Sequence, residues 1–133
     1  MPAEIELAKQ WRAKADNDLL NADNNLQAAR IPYDTVCFHC QQAAEKMLKA
    51  FLVVKGVFYP LTHDLLLLLE KVLPLDPSAA QLRDALALLT PYAVEARYPD
   101  EMSMPAAQDA FEARAAAASI GAWLRTACPA LFD

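Results

Sequence analysis

The chain reads as all-α, an antiparallel up-and-down bundle of four to five helices, and three observations lead there. Its 133 residues hold two glycines against nine prolines, a mixture that favours helices punctuated by prolines and is poor material for sheet. Ala8, Ala15, Ala22 and Ala29 recur every seven residues, with Leu19 and Leu26 on the same side, the spacing of a helix face. Farther on, Val36, Cys37, Cys40, Ala43, Ala44, Met47, Leu48, Phe51 and Val54 fill an arc of roughly 140° when wound on a helix, the width of a core-facing stripe. No alternating strand pattern, linker or internal repeat interrupts this, and the length suits one domain over residues 1–133.

The elements follow in order. A first helix is expected from about Glu4 to Ala29, with Trp11 on its stripe and Asp18 on or beside the buried face. Ile31-Pro32 breaks it, because a residue before proline is pushed out of the helical region. The second helix spans about Tyr33 to Lys55 and ends at Gly56, a natural C-terminal cap. Thr62 is expected to cap a third helix that begins at His63-Asp64 and runs through Leu73. After Pro74 and Pro77, Ser78 is expected to cap a fourth, with Leu82, Leu86 and Leu89 on one side. Thr90-Pro91 interrupts that pattern and suits a kink or a short extra helix through Arg97, with Thr90 as its cap. Tyr98-Pro99-Asp100 makes a turn. The last helix, about Pro105 to Ala127, is alanine-rich, with Phe111, Ile120, Trp123 and Leu124 as its large apolar anchors.

Bulk properties narrow the function classes. With 56% hydrophobic and 22% charged residues the chain is globular rather than disordered. A net charge of −5 argues against non-specific nucleic-acid binding, which needs a basic face. Three cysteines make no disulfide framework, so reduced, buried thiols are expected. The N-terminus lacks the pattern of a signal peptide, and the aliphatic run Leu65 to Leu69 is too short to span a bilayer. These points describe a soluble cytoplasmic domain without membrane contact.

Chemistry concentrates on the second helix. His39, Gln42, Lys46 and Lys49 share an arc of roughly 80° at the margin of the apolar stripe. Two lysines, an imidazole and an amide there suit an anionic ligand or a partner surface, although each taken singly also suits a solvated helix face. Asp18 reads either as an acid neutralised by a cation from a neighbouring helix or as a functional group. Cys37-x-His39-Cys40 has the look of half a zinc site. A structural site takes four ligands, however, and no second C-x-x-C or histidine pair follows. Local nucleophile signatures and glycine-rich phosphate loops are absent, and no cofactor is implied.

At this level the residues resemble a family. The run from His39 to Ala50, HCQQAAEKMLKA, is similar to the signature helix of HEPN domains (higher eukaryotes and prokaryotes nucleotide-binding). Thr62-His63-Asp64-Leu65 resembles the start of that family's third helix, Ala96-Arg97-Tyr98-Pro99-Asp100 its turn before the final helix, and Ala15-x-x-Asp18-Leu19-x-x-Ala22 its first helix. The resemblance implies a bundle that usually dimerises. Some members are metal-independent ribonucleases, often toxins, using an arginine followed four to six residues later by a histidine. Others lack that pair and bind nucleotides or partner a small nucleotidyltransferase. After Arg97 the corresponding positions are Met102, Ser103 and Met104, so the imidazole that would serve as general acid or base is missing.

The leading expectation is therefore a non-catalytic HEPN-like homodimer that binds a nucleotide or other phosphate-bearing ligand, docks a nucleotidyltransferase partner, or both, within a toxin–antitoxin-type pair. Its ligand residues would be His39, Gln42, Lys46, Lys49 and Arg97, oriented by Asp18, His63, Asp64 and Tyr98. Two alternatives stay open. One is a divergent ribonuclease acting on RNA through Arg97 with His39 or His63. The other is a pure protein-interaction module.

Overall fold

A computed structural model describes residues 2–94 and 104–133 of the chain. Five helices account for most of them: α1 (Pro2–Leu26), α2 (Tyr33–Val54), α3 (Leu65–Val72), α4 (Arg83–Leu89) and α5 (Ala107–Ala127). Short 3₁₀ segments precede and follow α4 and close the chain at Pro129–Phe132. Among the described residues there is no strand. The architecture is the all-helical bundle expected of the sequence, and none of the described helices is long and apolar enough to cross a membrane.

Helix α2 is the axis of the bundle, packing against α1, α5 and α3. All nine residues of its apolar arc face the interior, eight of them buried and Val54 partly so. Helix α1 meets it through Ala8, Ala15 and Ala22, each fully buried. These small side chains bring the two backbones close together. From the other side come Leu65, Leu68 and Leu69 of α3, Leu86 and Leu89 of α4, and Ile120 and Leu124 of α5, all fully buried. Phe51 lies against Trp123, ring centroids 4.9 Å apart, and the Trp123 indole N–H donates to Ser78 Oγ at 3.1 Å.

Gly56 ends α2 with φ +69°. Its N–H donates to the Val53 carbonyl and that of Val57 to Leu52, both at 3.0 Å. This paired arrangement satisfies carbonyls left over at a helix end and requires the left-handed conformation that glycine adopts without strain.

Several boundaries differ from the sequence expectation, each for a local reason. Helix α1 stops at Leu26, because the N–H groups of Gln27 and Ala28 turn back three residues to Asn24 and Asn25. Ala29, fourth in the heptad series, is consequently exposed. Helix α3 is capped by Asp64, not Thr62. Asp64 Oδ1 accepts from the N–H groups of Leu66 and Leu67, while Thr62 Oγ1 accepts from Asp64 N–H. Asp76, not Ser78, caps the segment before α4 and accepts from Ser78 N–H at 3.0 Å. Pro77 follows it as the first helical residue, where its missing N–H costs nothing.

Thr90 does not cap a new helix either. Its hydroxyl donates back to the Leu86 carbonyl at 2.9 Å, and a single 3₁₀ turn, Thr90–Tyr92, follows. Helix α5 begins at Ala107, with the Ala106 N–H donating to Asp109 Oδ2. Phe111 is not a core anchor: it is 54% exposed, and Ala110, Ala113 and Ala117 face the core there instead. The turn at Tyr98-Pro99-Asp100 and the part of the helix expected after Thr90 that runs from Glu95 through Arg97 lie outside the described residues.

Candidate functional site

Two buried carboxylates organise the polar margin of α2. The first, Asp18, comes from α1 and is 6% exposed. One of its oxygens lies 2.8 Å from His39 Nδ1 and the other 2.6 Å from Lys46 Nζ. The second, Glu45, belongs to α2 itself and is 4% exposed. It takes Lys49 Nζ at 2.9 Å on one oxygen and His63 Nδ1 at 2.8 Å on the other. The two clusters repeat one design, a carboxylate shared between a lysine and a histidine. A carboxylate accepts, so each imidazole donates from Nδ1 and keeps Nε2 for any other partner.

Gln41 knits the second cluster to the loop before α3. Fully buried, its amide donates to the His63 carbonyl at 3.0 Å, and its oxygen accepts from Gln42 Nε2 at 2.7 Å. Taking the His63 carbonyl this way leaves His63 ahead of α3, and the helix starts at Leu65 under the Asp64 cap. The loop is thus held at two points of His63, its ring by Glu45 and its backbone by Gln41.

Lys49 is the most enclosed of the cations. Only 6% exposed, its ammonium also lies 5.6 Å from the centre of the Trp11 ring and 5.4 Å from that of Tyr59. The two rings meet edge to face at 5.7 Å, a favourable aromatic geometry. Glu45 below and two ring faces beside it replace the water that a lysine normally keeps.

Outside these rings lies a groove of about 520 Å³, lined by Leu7, Gln10, Trp11, Lys14, Lys46 and Tyr59. Its volume is in the range of small-ligand sites. An apolar and aromatic floor with lysines beside it suits a planar group carrying negative charge.

The structure thus brings together Asp18, His39 and Lys46 in one cluster and Lys49 and His63 in another, with Gln42 joined to the second through Gln41. It does not bring in Asp64, which caps α3 and is exposed. Arg97 and Tyr98 lie outside the described residues. Lys46 and Lys49 are not spare cations, since each already has a carboxylate within 3 Å. Sequence reasoning missed Glu45, Gln41, Lys14 and Tyr59. A signal for the first two was there: Gln41, Glu45, Leu48 and Leu52 recur at four-, three- and four-residue spacing, and both Leu48 and Leu52 are core residues.

The cysteines form no part of the site. Cys37 and Cys40 are buried and free, while the His39 ring beside them turns to Asp18. Burial pushes the Cys37 thiol up to about 11 and that of Cys40 up to about 12, so both stay protonated near neutral pH.

Fold and polar margin together define a class: an all-helical bundle whose central helix holds histidines and lysines on shared buried carboxylates. The HEPN domain family matches residues 8–127, nearly the whole chain, and the chain belongs to that family. No curated protein and no solved structure matches it.

Proposed function

We propose that this HEPN protein binds a nucleotide or similar phosphate-bearing ligand in the groove between α1 and the loop before α3. The observation that carries the reading is the groove itself, where Trp11 and Tyr59 offer ring surface and Lys14 and Lys46 offer cations within one cavity of about 520 Å³. A base laid against Tyr59 would gain stacking energy of ~1–3 kcal/mol. The phosphates would meet Lys14, which is exposed, and Lys46, whose charge is shared with Asp18. In this reading His39 and Asp18 fix Lys46, and Glu45 and His63 fix the Tyr59 loop. All four act by positioning.

Calorimetric titration with nucleoside mono- and triphosphates tests it. Binding is expected, weakened about tenfold (~1.4 kcal/mol) by Tyr59→Ala and also weakened by Lys14→Gln. Absence of heat with every nucleotide sinks the groove as a ligand site.

A second reading, docking of a partner such as a small nucleotidyltransferase in a toxin–antitoxin-type pair, draws on Phe58 and Leu61. These are 90% and 93% exposed on the loop that carries Tyr59, an unusual place to leave two large apolar side chains. The expected homodimer belongs to the same reading, with Leu20 on α1 and Phe111 on α5, both more than half exposed, as apolar contacts.

A further inference from the structure

On another side of α1, where it runs beside α5, a second and smaller cavity of about 250 Å³ has three arginines around it: Arg12, Arg114 and Arg125. Arg114 is satisfied, since Nε and Nη2 hold both oxygens of Asp23 at 2.6 and 3.1 Å. Arg12 is only partly satisfied, and Arg125 is without a carboxylate partner among the described residues. The guanidinium carbons of Arg12 and Arg125 sit 4.1 and 4.2 Å from the centre of one ring, Phe132, which places two like charges on a single side chain. Arg12 gives Nη1 to the Leu131 carbonyl at 3.2 Å and Nη2 to Asp16 at 3.3 Å. Its Nε is buried with no acceptor among the described residues. Arg125 has no carboxylate partner among the described residues: its only contact of this kind is the Phe132 ring.

We propose that this cleft is a second anion site, separate from the Trp11–Tyr59 groove, and that it takes a phosphate-sized oxoanion, either free phosphate or the terminal group of a phosphate monoester. Three features support this. Two guanidiniums held on one ring repel each other and gain from an anion within reach of both. Phe132 fixes both as planar forks, the geometry that meets oxoanions with paired hydrogen bonds. The Arg12 Nε–H, buried without an acceptor among the described residues, leaves this guanidinium incompletely satisfied despite Asp16. Ala117, Ala118, Gly121 and Ala122 line the cavity as well and bring no charge, while Asp16, the one carboxylate among the described lining residues, is engaged by Arg12 Nη2 and leaves Arg125 uncompensated. The volume suits a phosphate group but falls below the usual range for a whole nucleotide.

Nitrogen–proton correlation spectra of the full chain, recorded on the arginine Nε–Hε signals, test the site directly. Inorganic phosphate and glycerol 2-phosphate are titrated separately. Saturable shifts of the Arg12 and Arg125 signals are expected, and the tighter of the two titrants identifies whether the free or the esterified anion is preferred. Arg125→Gln, at an exposed position, is expected to weaken binding at least tenfold (~1.4 kcal/mol). Arg125→Lys keeps the charge but loses the fork and falls between the two. Lys14→Gln leaves this binding unchanged. Shifts that fail to saturate, or affinity lost in Lys14→Gln but kept in Arg125→Gln, overturn the proposal, whatever nucleotides do at the groove.

Discussion

At the scale of single residues, the ionic pairs on α2 are held at a cost. Lys49 and Glu45 are both nearly sealed from water, and two such charges are stabilising only while both are present. Replacing Glu45 by leucine strands a buried ammonium between two rings. Urea unfolding should show a loss of about 3–5 kcal/mol, whereas Glu45→Leu with Lys49→Met should recover most of it. Recovery of nothing would mean that His63, and not Lys49, is what Glu45 chiefly holds. This pairing was only half legible in the sequence. His39, Lys46 and Lys49 stand out as a cationic arc, and Asp18 as an acid beside a buried face. What spacing on one helix does not disclose is which charge of another helix or loop will reach across. Asp18 and Lys46 are 28 residues apart and His63 and Glu45 18, so both contacts depend on how α1 and the α3 loop dock.

Elements were legible where apolar spacing decided them and less so where caps competed. Each of the five helices is anticipated, and eight of the nine residues of the expected α2 arc are buried, but the buried face is wider than that arc and also takes in Gln41, Glu45, Lys49, Ala50, Leu52 and Val53. The ends shift because short polar side chains offer close alternatives. Thr62 and Asp64, or Asp76 and Ser78, are each two residues apart, and in both pairs the carboxylate takes the cap, as the stronger acceptor for backbone N–H groups. Phe111 failed as an anchor for a different reason. In a helix this rich in alanine, size alone does not tell which face is inside. Gly56 is the boundary with the clearest consequence. A Cβ built there meets nothing within 4 Å, so the penalty of Gly56→Ala comes from backbone conformation alone. Thermal melts followed by circular dichroism should report a loss of about 1–2 kcal/mol, the usual excess of a left-handed residue that has a side chain. No loss would show that the end of α2 can unwind by a residue without harm.

For the molecule as a whole, one helix does two jobs. α2 supplies the largest share of the core and, on its margin, both histidine and lysine partners of Asp18 together with Glu45 and Lys49 of the second cluster. Any substitution that tilts it therefore moves fold and site together. The groove and the arginine cleft both border α1, one on its Trp11 and Lys14 side and the other on its Arg12 and Asp16 side. A ligand at either proposed site would therefore bear on α1.

The alanine seam gives such an effect a physical basis. The large side chains that are completely buried come from α2, α3, α4, α5 and the C-terminal segment, and from none of α1. A buried methyl group removes far less apolar surface from water than a leucine does. The larger apolar side chains of α1 that reach the core, Trp11, Leu19 and Leu26, are only partly buried, and polar contacts supplement them: Asp18 to α2, Arg12 to the Leu131 carbonyl and Asp23 to Arg114. A helix attached in this way forms a cooperative unit of its own, able to detach while the remaining core stays closed. Native-state amide exchange should find α1 opening at a lower free energy than α2, with nucleotide narrowing the gap. Equal protection of the two helices would mean that close packing of small side chains anchors α1 as firmly as large ones would. On this view the seven-residue spacing of Ala8, Ala15 and Ala22 sets how readily the bundle unlatches as well as how tightly it closes.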